Sequence, residues 1–165
     1  MRVAGGAEAV HWEQMTRQDA EEIAQWHYPA PYSFYDFAAD PDDLEELLDV
    51  DRWRPASHFV SRDEAKRLMA FAIFDVDVVD DALMLGLGIR PDRTGQGLGA
   101  AFVREVLQLA DSQCAGRAVH LAVAAFNKRA IRVYERVGFV PVRYFRQATN
   151  GGLHDFVEMM YPKHP

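Results

Sequence analysis

Residues 91–102 of the chain, PDRTGQGLGAAF, place glycine at three alternate positions, Gly95, Gly97 and Gly99, between an apolar run and an amphipathic one. Glycine lets the main chain turn at positive φ and brings backbone N–H groups against a ligand with no side chain between. A helix that starts there adds unbonded N–H groups and the positive end of its dipole. The segment therefore predicts an anion site, with phosphate as its natural guest. A Walker loop is excluded, because no Gly-Lys-Ser or Gly-Lys-Thr follows the glycines. Gly95, Gly97 and Ala100 do satisfy Gly-x-Gly-x-x-Ala, but a dinucleotide site also needs an acidic residue about 20 positions on to hold a ribose. The strand in that place ends AAFNK, without a carboxylate.

The elements that must position this loop follow from periodicity. ALMLGLGI (82–89) is an apolar strand leading into it. After it, Leu98, Phe102, Val106 and Leu109 recur at helical spacing, with Arg104, Glu105, Gln108 and Asp111 on the other side and Gly116 as a stop signal. VHLAVAAF (119–126) reads as a buried strand, NKRAIRVYERVG as a second helix ended by Gly138, and VPVRYFRQA with LHDFVEMMY as a hairpin around NGG. Upstream, AVHWEQM (9–15) alternates as a strand. Thr16 with Asp19 is an N-cap signature for a helix to about Trp26. HYPAPYSFYDF breaks regularity with two prolines and five aromatics, residues 41–50 read as a short acidic helix, and SHFVSR with RLMAFAIFDVDV form a hairpin across DEAK.

With 165 residues, 49% hydrophobic and 12% aromatic, the chain is expected to form one domain over residues 1–165. No run of about 18 apolar residues and no signal-peptide pattern is seen, so a soluble, cytoplasmic protein without membrane association is expected. The single cysteine, Cys114, excludes an intramolecular disulfide and fits a reducing compartment. No pair of the six histidines has metal-site spacing, so no metal is expected. The net charge of −7 argues against a nucleic-acid partner. That charge is unevenly spread: Arg90 to Arg146 holds ten basic and four acidic residues, a balance of +6, and the remainder stands at −13.

RTGQGLG, a helix, a buried strand and then FNKRAIRVYERVGF together resemble the GNAT superfamily of acyl-CoA-dependent N-acetyltransferases. The likeness covers residues 83–161 well and the N-terminal half in element order. In the second block Asn127, Ala130, Tyr134, Gly138 and Phe139 fall at the family's spacing. The resemblance implies an α/β fold with a mixed, largely antiparallel sheet, two splayed parallel central strands and helices on both faces. It also implies acetyl-CoA as cosubstrate, with its pyrophosphate on Arg93, Thr94, Gly95, Gln96, Gly97, Leu98 and Gly99. Thr94 stands where the family usually has Arg or Gln, so Arg93 or the Thr94 hydroxyl is expected to supplement the backbone donors.

By the same resemblance, main-chain groups of Leu87 and Ile89 face the pantetheine arm and the acetyl oxygen. Such backbone donors can contribute about 3 kcal/mol to a developing oxyanion. Tyr134 is the expected proton donor to the departing thiolate, since a phenol with pKa about 10 keeps its proton at neutral pH. Taken alone it reads equally as a core ring. Asn127 is expected to cap its helix and to contact the pantetheine arm. The general base is left open among His120, His154, Asp155 and Glu158. The stretch from Trp26 to Phe37 is expected to wall the acceptor pocket, with Trp26, Tyr32, Phe34, Tyr35 and His154 as contacts, although aromatics at a helix connection also anchor loops to the core. Direct transfer to a primary amine of a small cationic molecule or peptide is the favoured function. The alternative is a non-catalytic acyl-CoA sensor, and a nucleotide-dependent oxidoreductase is a distant third. Oligomeric state is left open, a homodimer included.

Overall fold

The computed structural model describes residues 11–114 and 116–162. Seven strands form one sheet in the order β1-β2-β3-β4-β5-β7-β6, with β1 Trp12–Gln14, β2 His58–Arg62, β3 Leu68–Asp77, β4 Ala82–Ile89, β5 Val119–Ala124, β6 Val140–Thr149 and β7 Gly152–Tyr161. Every pairing is antiparallel except β4 with β5. This is the mixed α/β sheet expected from the sequence. Helices α1 (Arg17–Ile23) and α2 (Pro41–Leu48) cover one face, and α3 (Gly99–Gln113) and α4 (Lys128–Val137) the other.

Strand alternation explains the two layers. On β3, Ala70, Ala72 and Phe74 pack with Phe102, Val103 and Val106 of α3, while Phe71 and its neighbour Ile73 pack with Ile23 of α1 and Leu47 of α2. The capping box read at Thr16 and Asp19 is present in both directions, at 3.1 and 3.0 Å. The NGG turn places Asn150 and Gly151 at φ 50° and 75°, the two positive values that a two-residue hairpin turn requires.

Several boundaries differ from the sequence expectation. Helix α1 stops at Ile23 instead of Trp26, because the Trp26 ring leaves the helical path to pack on Phe71 at 6.0 Å. Helix α2 stops at Leu48 and a 3-10 turn follows over Val50–Arg52. Strand β5 ends at Ala124, and Phe126, expected inside a buried strand, is 45% exposed where the chain turns into α4. Strand β1 is shorter than 9–15; residues 9 and 10 lie outside the described residues.

His58 on β2 makes the fold pH-sensitive. Its ring stacks on Trp53 at 4.1 Å. The Ser57 hydroxyl gives its proton to the Arg54 carbonyl at 2.6 Å, so His58 Nδ1 is the donor to Ser57 Oγ at 2.7 Å. Burial pushes the imidazole pKa down to about 4, and the charge of Asp75 only partly offsets this. Between pH 6.5 and 4 the unfolded histidine takes up a proton that the folded one refuses, so stability present above pH 6.5 is lost as pH falls through that window. Urea midpoints measured from about pH 7 to about pH 4.5 are expected to drop for the wild type and to drop less for His58→Phe, which keeps the ring stack without the titration.

Candidate functional site

Strands β4 and β5 are paired at only two positions, Leu83 with Val119 and Met84 with His120. Both strands then continue, to Ile89 and Ala124, without further pairing between them. The Leu83 N–H bonds to the Ala118 carbonyl on the β5 side, whereas the Arg90 N–H bonds to Met69 on the β3 side. Backbone direction alternates along a strand, so the main-chain groups of Leu85, Leu87 and Ile89 face the opening, with those of Ala122 and Ala124 opposite. A cleft lined by backbone donors and acceptors runs through the sheet.

The glycine loop lies at the end of β4. Gly95 and Gly97 have φ of 72° and 74°, which turns their N–H groups into a concave nest. Gly99 opens α3 and gives close helix packing: a Cβ there would lie 3.3 Å from the Val133 side chain of α4. Leu98 provides no side-chain cap, so the first N–H groups of the 15-residue helix α3 stay open toward an anion. The Thr94 hydroxyl donates to the Pro91 carbonyl at 2.8 Å, closing a 3-10 turn over Pro91–Arg93. Its proton is thus given to that carbonyl, and of the two groups expected to supplement the backbone donors Arg93 is the less engaged. Arg93 keeps most of its donors, with Nη2 4.0 Å from Asp63. The Gln96 amide is tied back to the Asp92 carbonyl at 3.0 Å. The turn hangs on Arg90, whose guanidinium bonds Asp92, Asp63 and the Leu68 carbonyl at 2.6, 3.4 and 2.8 Å.

Two phenols from a single loop span the same open end of the cleft, at the last residues of β4 and β5. Tyr28 Oη donates to the Ile89 carbonyl at 2.8 Å. Tyr35 Oη accepts from the Ala124 N–H and from Asn127 Nδ2, both at 3.2 Å, which leaves its own proton to give. Asp36 braces the loop, accepting from the Tyr28 N–H at 2.9 Å and lying 2.5 Å from His27 Nδ1. The loop is also pinned to the hairpin tip, where Asn150 Nδ2 donates to the Phe34 carbonyl at 2.6 Å and Asp40 accepts from Thr149 Oγ1 and the Asn150 N–H at 2.7 and 2.9 Å. These bonds hold the Asp40 carboxyl down at about 2. Tyr28 is a residue the sequence reading missed. It sits inside the aromatic stretch, but no spacing rule links it to a carbonyl 61 positions away.

Gly88 makes the Tyr28 contact possible. A Cβ there would lie 2.5 Å from the Phe71 ring and 3.3 Å from Tyr28 Oη. Gly88→Ala is expected to push both rings away, breaking the bond to Ile89 and costing about 1–3 kcal/mol of stability. Thermal melting checks this: the midpoint of Gly88→Ala should fall below that of the wild type.

Asn127 bonds Tyr35 at the open end of the strands, and Tyr134 lies within electrostatic reach of the same phenol. Asn127 is buried and makes two contacts: Oδ1 accepts from the Ala130 N–H at 3.2 Å as the α4 cap, and Nδ2 reaches Tyr35. Tyr134 is partly buried, its ring tilted against Phe139 at 5.6 Å. Burial pushes its phenol pKa well above the ordinary tyrosine value, and the neighbouring Tyr35 phenol pushes it further. Tyr35 is raised by burial as well, with the bonds from Asn127 and Ala124 working against that shift. Both phenols keep their protons at neutral pH.

The four base candidates are placed differently. Asp155 pairs with Arg146 at 3.0 Å on the exposed hairpin. His154 turns an edge toward Phe34 at 5.0 Å, with Nε2 buried and packed over Gly152, so its imidazole serves the hairpin turn. Glu158 lies between Arg143 and His120, at 3.3 and 3.4 Å, and is the register partner of the exposed Ala122 on β5. That face of the strands is the one opposite the buried Val157 and Met159, open toward the aromatic loop. Glu158 with His120 is therefore the carboxylate and imidazole pair on the face that the aromatic loop covers.

Of the expected acceptor contacts, Phe34 and Tyr35 cluster with Phe126 at 5.5 and 6.2 Å, forming an aromatic mouth. Trp26 instead fills the anchoring role against Phe71, and Tyr32 lies under the Arg129 guanidinium at 4.3 Å. Part of the acidic excess that suggested a cationic acceptor lies away from the cleft. Asp42, Asp43, Glu45, Glu46, Asp49 and Asp75 line a groove of about 580 Å³ between α2 and β3, which shares none of the cleft residues. Among the described residues no group of three or more His, Cys, Asp or Glu is placed to hold a metal ion, and no helix is long and apolar enough to cross a membrane.

A family model described as the acetyltransferase (GNAT) family matches residues 17–139. Among curated proteins, the [ribosomal protein bS18]-alanine N-acetyltransferase of Escherichia coli K12 is 32% identical over 98 residues, which are 58% of this chain and 65% of that protein. The mycothiol acetyltransferase of Propionibacterium freudenreichii is 32% identical over 101 residues, 59% of this chain and 32% of that one. The chain thus spans about a third to about two thirds of these relatives' lengths. Among solved structures, the spermidine N-acetyltransferase from Vibrio cholerae in complex with CoA and spermine superposes with a TM-score of 0.74 at 21% identity, covering 93% of this chain and 95% of that one. A phosphinothricin N-acetyltransferase assigned by similarity gives 0.73 at 17% identity, with 94% and 99% covered. At these identities the superpositions speak for the fold.

Proposed function

The chain belongs to the GNAT acetyltransferase family, and from that premise we propose that it transfers acetyl from acetyl-CoA directly to a primary amine of a small molecule or peptide. The observation that carries this reading is the divergence of β4 from β5 after two paired positions, with the glycine nest and two phenols gathered at the open end of the cleft. The site fits the cosubstrate: uncapped N–H groups of α3 and the nest suit a pyrophosphate, and unpaired strand backbone suits an amide-bearing arm. Gly95, Gly97, Leu98 and Gly99 would hold the phosphates through their backbone, aided by Arg93. The strand groups of Leu87 and Ile89 would hold the arm. Acetyl-CoA supplies the activated acetyl thioester when bound.

The chain's own groups supply positioning and protons. The Leu87 N–H, facing the opening, would meet the negative charge that develops on the acetyl oxygen. As the C–N bond forms and the C–S bond breaks, the acceptor nitrogen loses a proton toward Glu158, directly or through water, and the thiolate gains one from Tyr134. A direct transfer is favoured because Cys114 follows the C-terminal end of α3, whereas the glycine nest lies before the start of that helix. The free thiol also supports a reducing, cytoplasmic setting. Phe34, Tyr35 and Phe126 form the mouth through which the amine approaches.

A thiol-release assay over polyamines, aminoglycosides, amino acids and peptides with free amines tests this, alongside calorimetric titration with CoA. CoA binding with turnover on an amine is the expected result and names the acceptor class. CoA binding with no turnover on any panel member favours a sensor, and no CoA binding by folded protein overturns the reading.

A further inference from the structure

Arg129, the second residue of α4, stands between the two halves of the site. Its guanidinium carbon lies 4.3 Å from the centre of the Tyr32 ring, over the face. Its Nη1 lies 3.5 Å from the point that a Cβ on Gly95 would occupy. Arg129 is exposed and makes no ion pair with a carboxylate among the described residues. A cation without a counter-ion therefore rests beside the positive-φ nest that the glycine loop builds for an anion.

We propose that Arg129 is a phosphate ligand of the cofactor site and that Tyr32 is the residue that positions it. This rests on the acetyl-CoA reading given above. Guanidinium offers five N–H donors in a rigid fork suited to phosphate oxygens, and a single aromatic contact leaves most of them unused. Arginine's long side chain loses rotamer freedom when it binds an anion. The Tyr32 face removes part of that freedom beforehand by holding the guanidinium at the loop. Tyr32, read from the sequence as an acceptor contact, thereby serves the cofactor. The 3-10 turn over Tyr32–Tyr35 divides its two tyrosines between the halves of the site, with Tyr32 holding Arg129 and Tyr35 bonding Ala124 and Asn127.

The test is calorimetric titration of wild type, Arg129→Ala, Arg129→Lys, Tyr32→Ala, Tyr32→Phe and Arg129→Ala/Tyr32→Ala with CoA, inorganic pyrophosphate and pantetheine, with steady-state kinetics alongside. Arg129→Ala is expected to weaken CoA and pyrophosphate at least tenfold, to leave pantetheine unchanged, and to raise the KM for acetyl-CoA with kcat retained. Arg129→Lys restores part of the loss. Tyr32→Ala weakens CoA several-fold, Tyr32→Phe does not, and the double variant is no weaker than Arg129→Ala alone. Equal CoA affinity in wild type and Arg129→Ala overturns the proposal while leaving the acetyl-CoA reading standing. A Tyr32→Ala defect confined to the KM for amine overturns the positioning role, as does full additivity in the double variant. Failure of folded wild type to bind CoA overturns both readings together.

Discussion

Tyr134→Phe is expected to lower kcat by about 100- to 1,000-fold, in the range that one positioned acid or base contributes, with CoA affinity within about twofold of wild type. The ring that packs against Phe139 is retained, so the fold should stand and only the phenolic proton is lost. That proton is well held: burial, with Tyr35 alongside, raises the pKa above the ordinary tyrosine range. The sign follows directly. A raised pKa keeps the donor protonated through neutral and moderately alkaline pH, so Tyr134 adds no alkaline limb to the rate profile in that range. The deficit should narrow with an acetyl donor whose thiol leaves readily as an anion, such as an aryl thioester, because such a leaving group needs no proton. Steady-state kinetics with both donors check this. An unchanged kcat would return Tyr134 to a core ring.

Glu158→Gln is expected to lower kcat/KM for the amine by about 100-fold at neutral pH. An aliphatic amine with pKa about 10 arrives almost wholly protonated, and the carboxylate on the acceptor face is the group placed to take its proton. Raising the pH increases the free-amine fraction, so the gap between variant and wild type should close toward about pH 9 to 10. Glutamine is isosteric and can still meet Arg143, which limits structural damage. A deficit constant across pH would mean that Glu158 acts by holding His120 and Arg143 in place.

Much of this site is legible in the chain, and the legible part is local. The nest, the α3 start and the Asn127 cap each lie within a few residues of sequence and obey short-range rules, as do the hairpin turn at Asn150 and the Thr16 capping box. Family spacing adds Tyr134. Legibility ends where the deciding contact lies outside the motif. Thr94 has a suitable hydroxyl for phosphate, but a carbonyl three residues back takes its proton. Tyr32 looks like an acceptor contact until the fold lays Arg129 on it. His154 is one of four base candidates in the sequence, and the fold sets its edge on Phe34 and its Nε2 over Gly152.

The distinction has a physical basis. Backbone conformation and capping are governed by groups a few bonds apart, so residue type and spacing determine that the chain has an anion nest, a helix after it and an apolar strand before it. The separation of β4 from β5 is not written in LMLGLGI, which reads as any core strand. Only the folded chain decides it, because the backbone groups freed after Met84 find partners on residues far away in sequence. Tyr28 reaches Ile89 and Tyr35 reaches Ala124 only once the aromatic loop is packed across both strands.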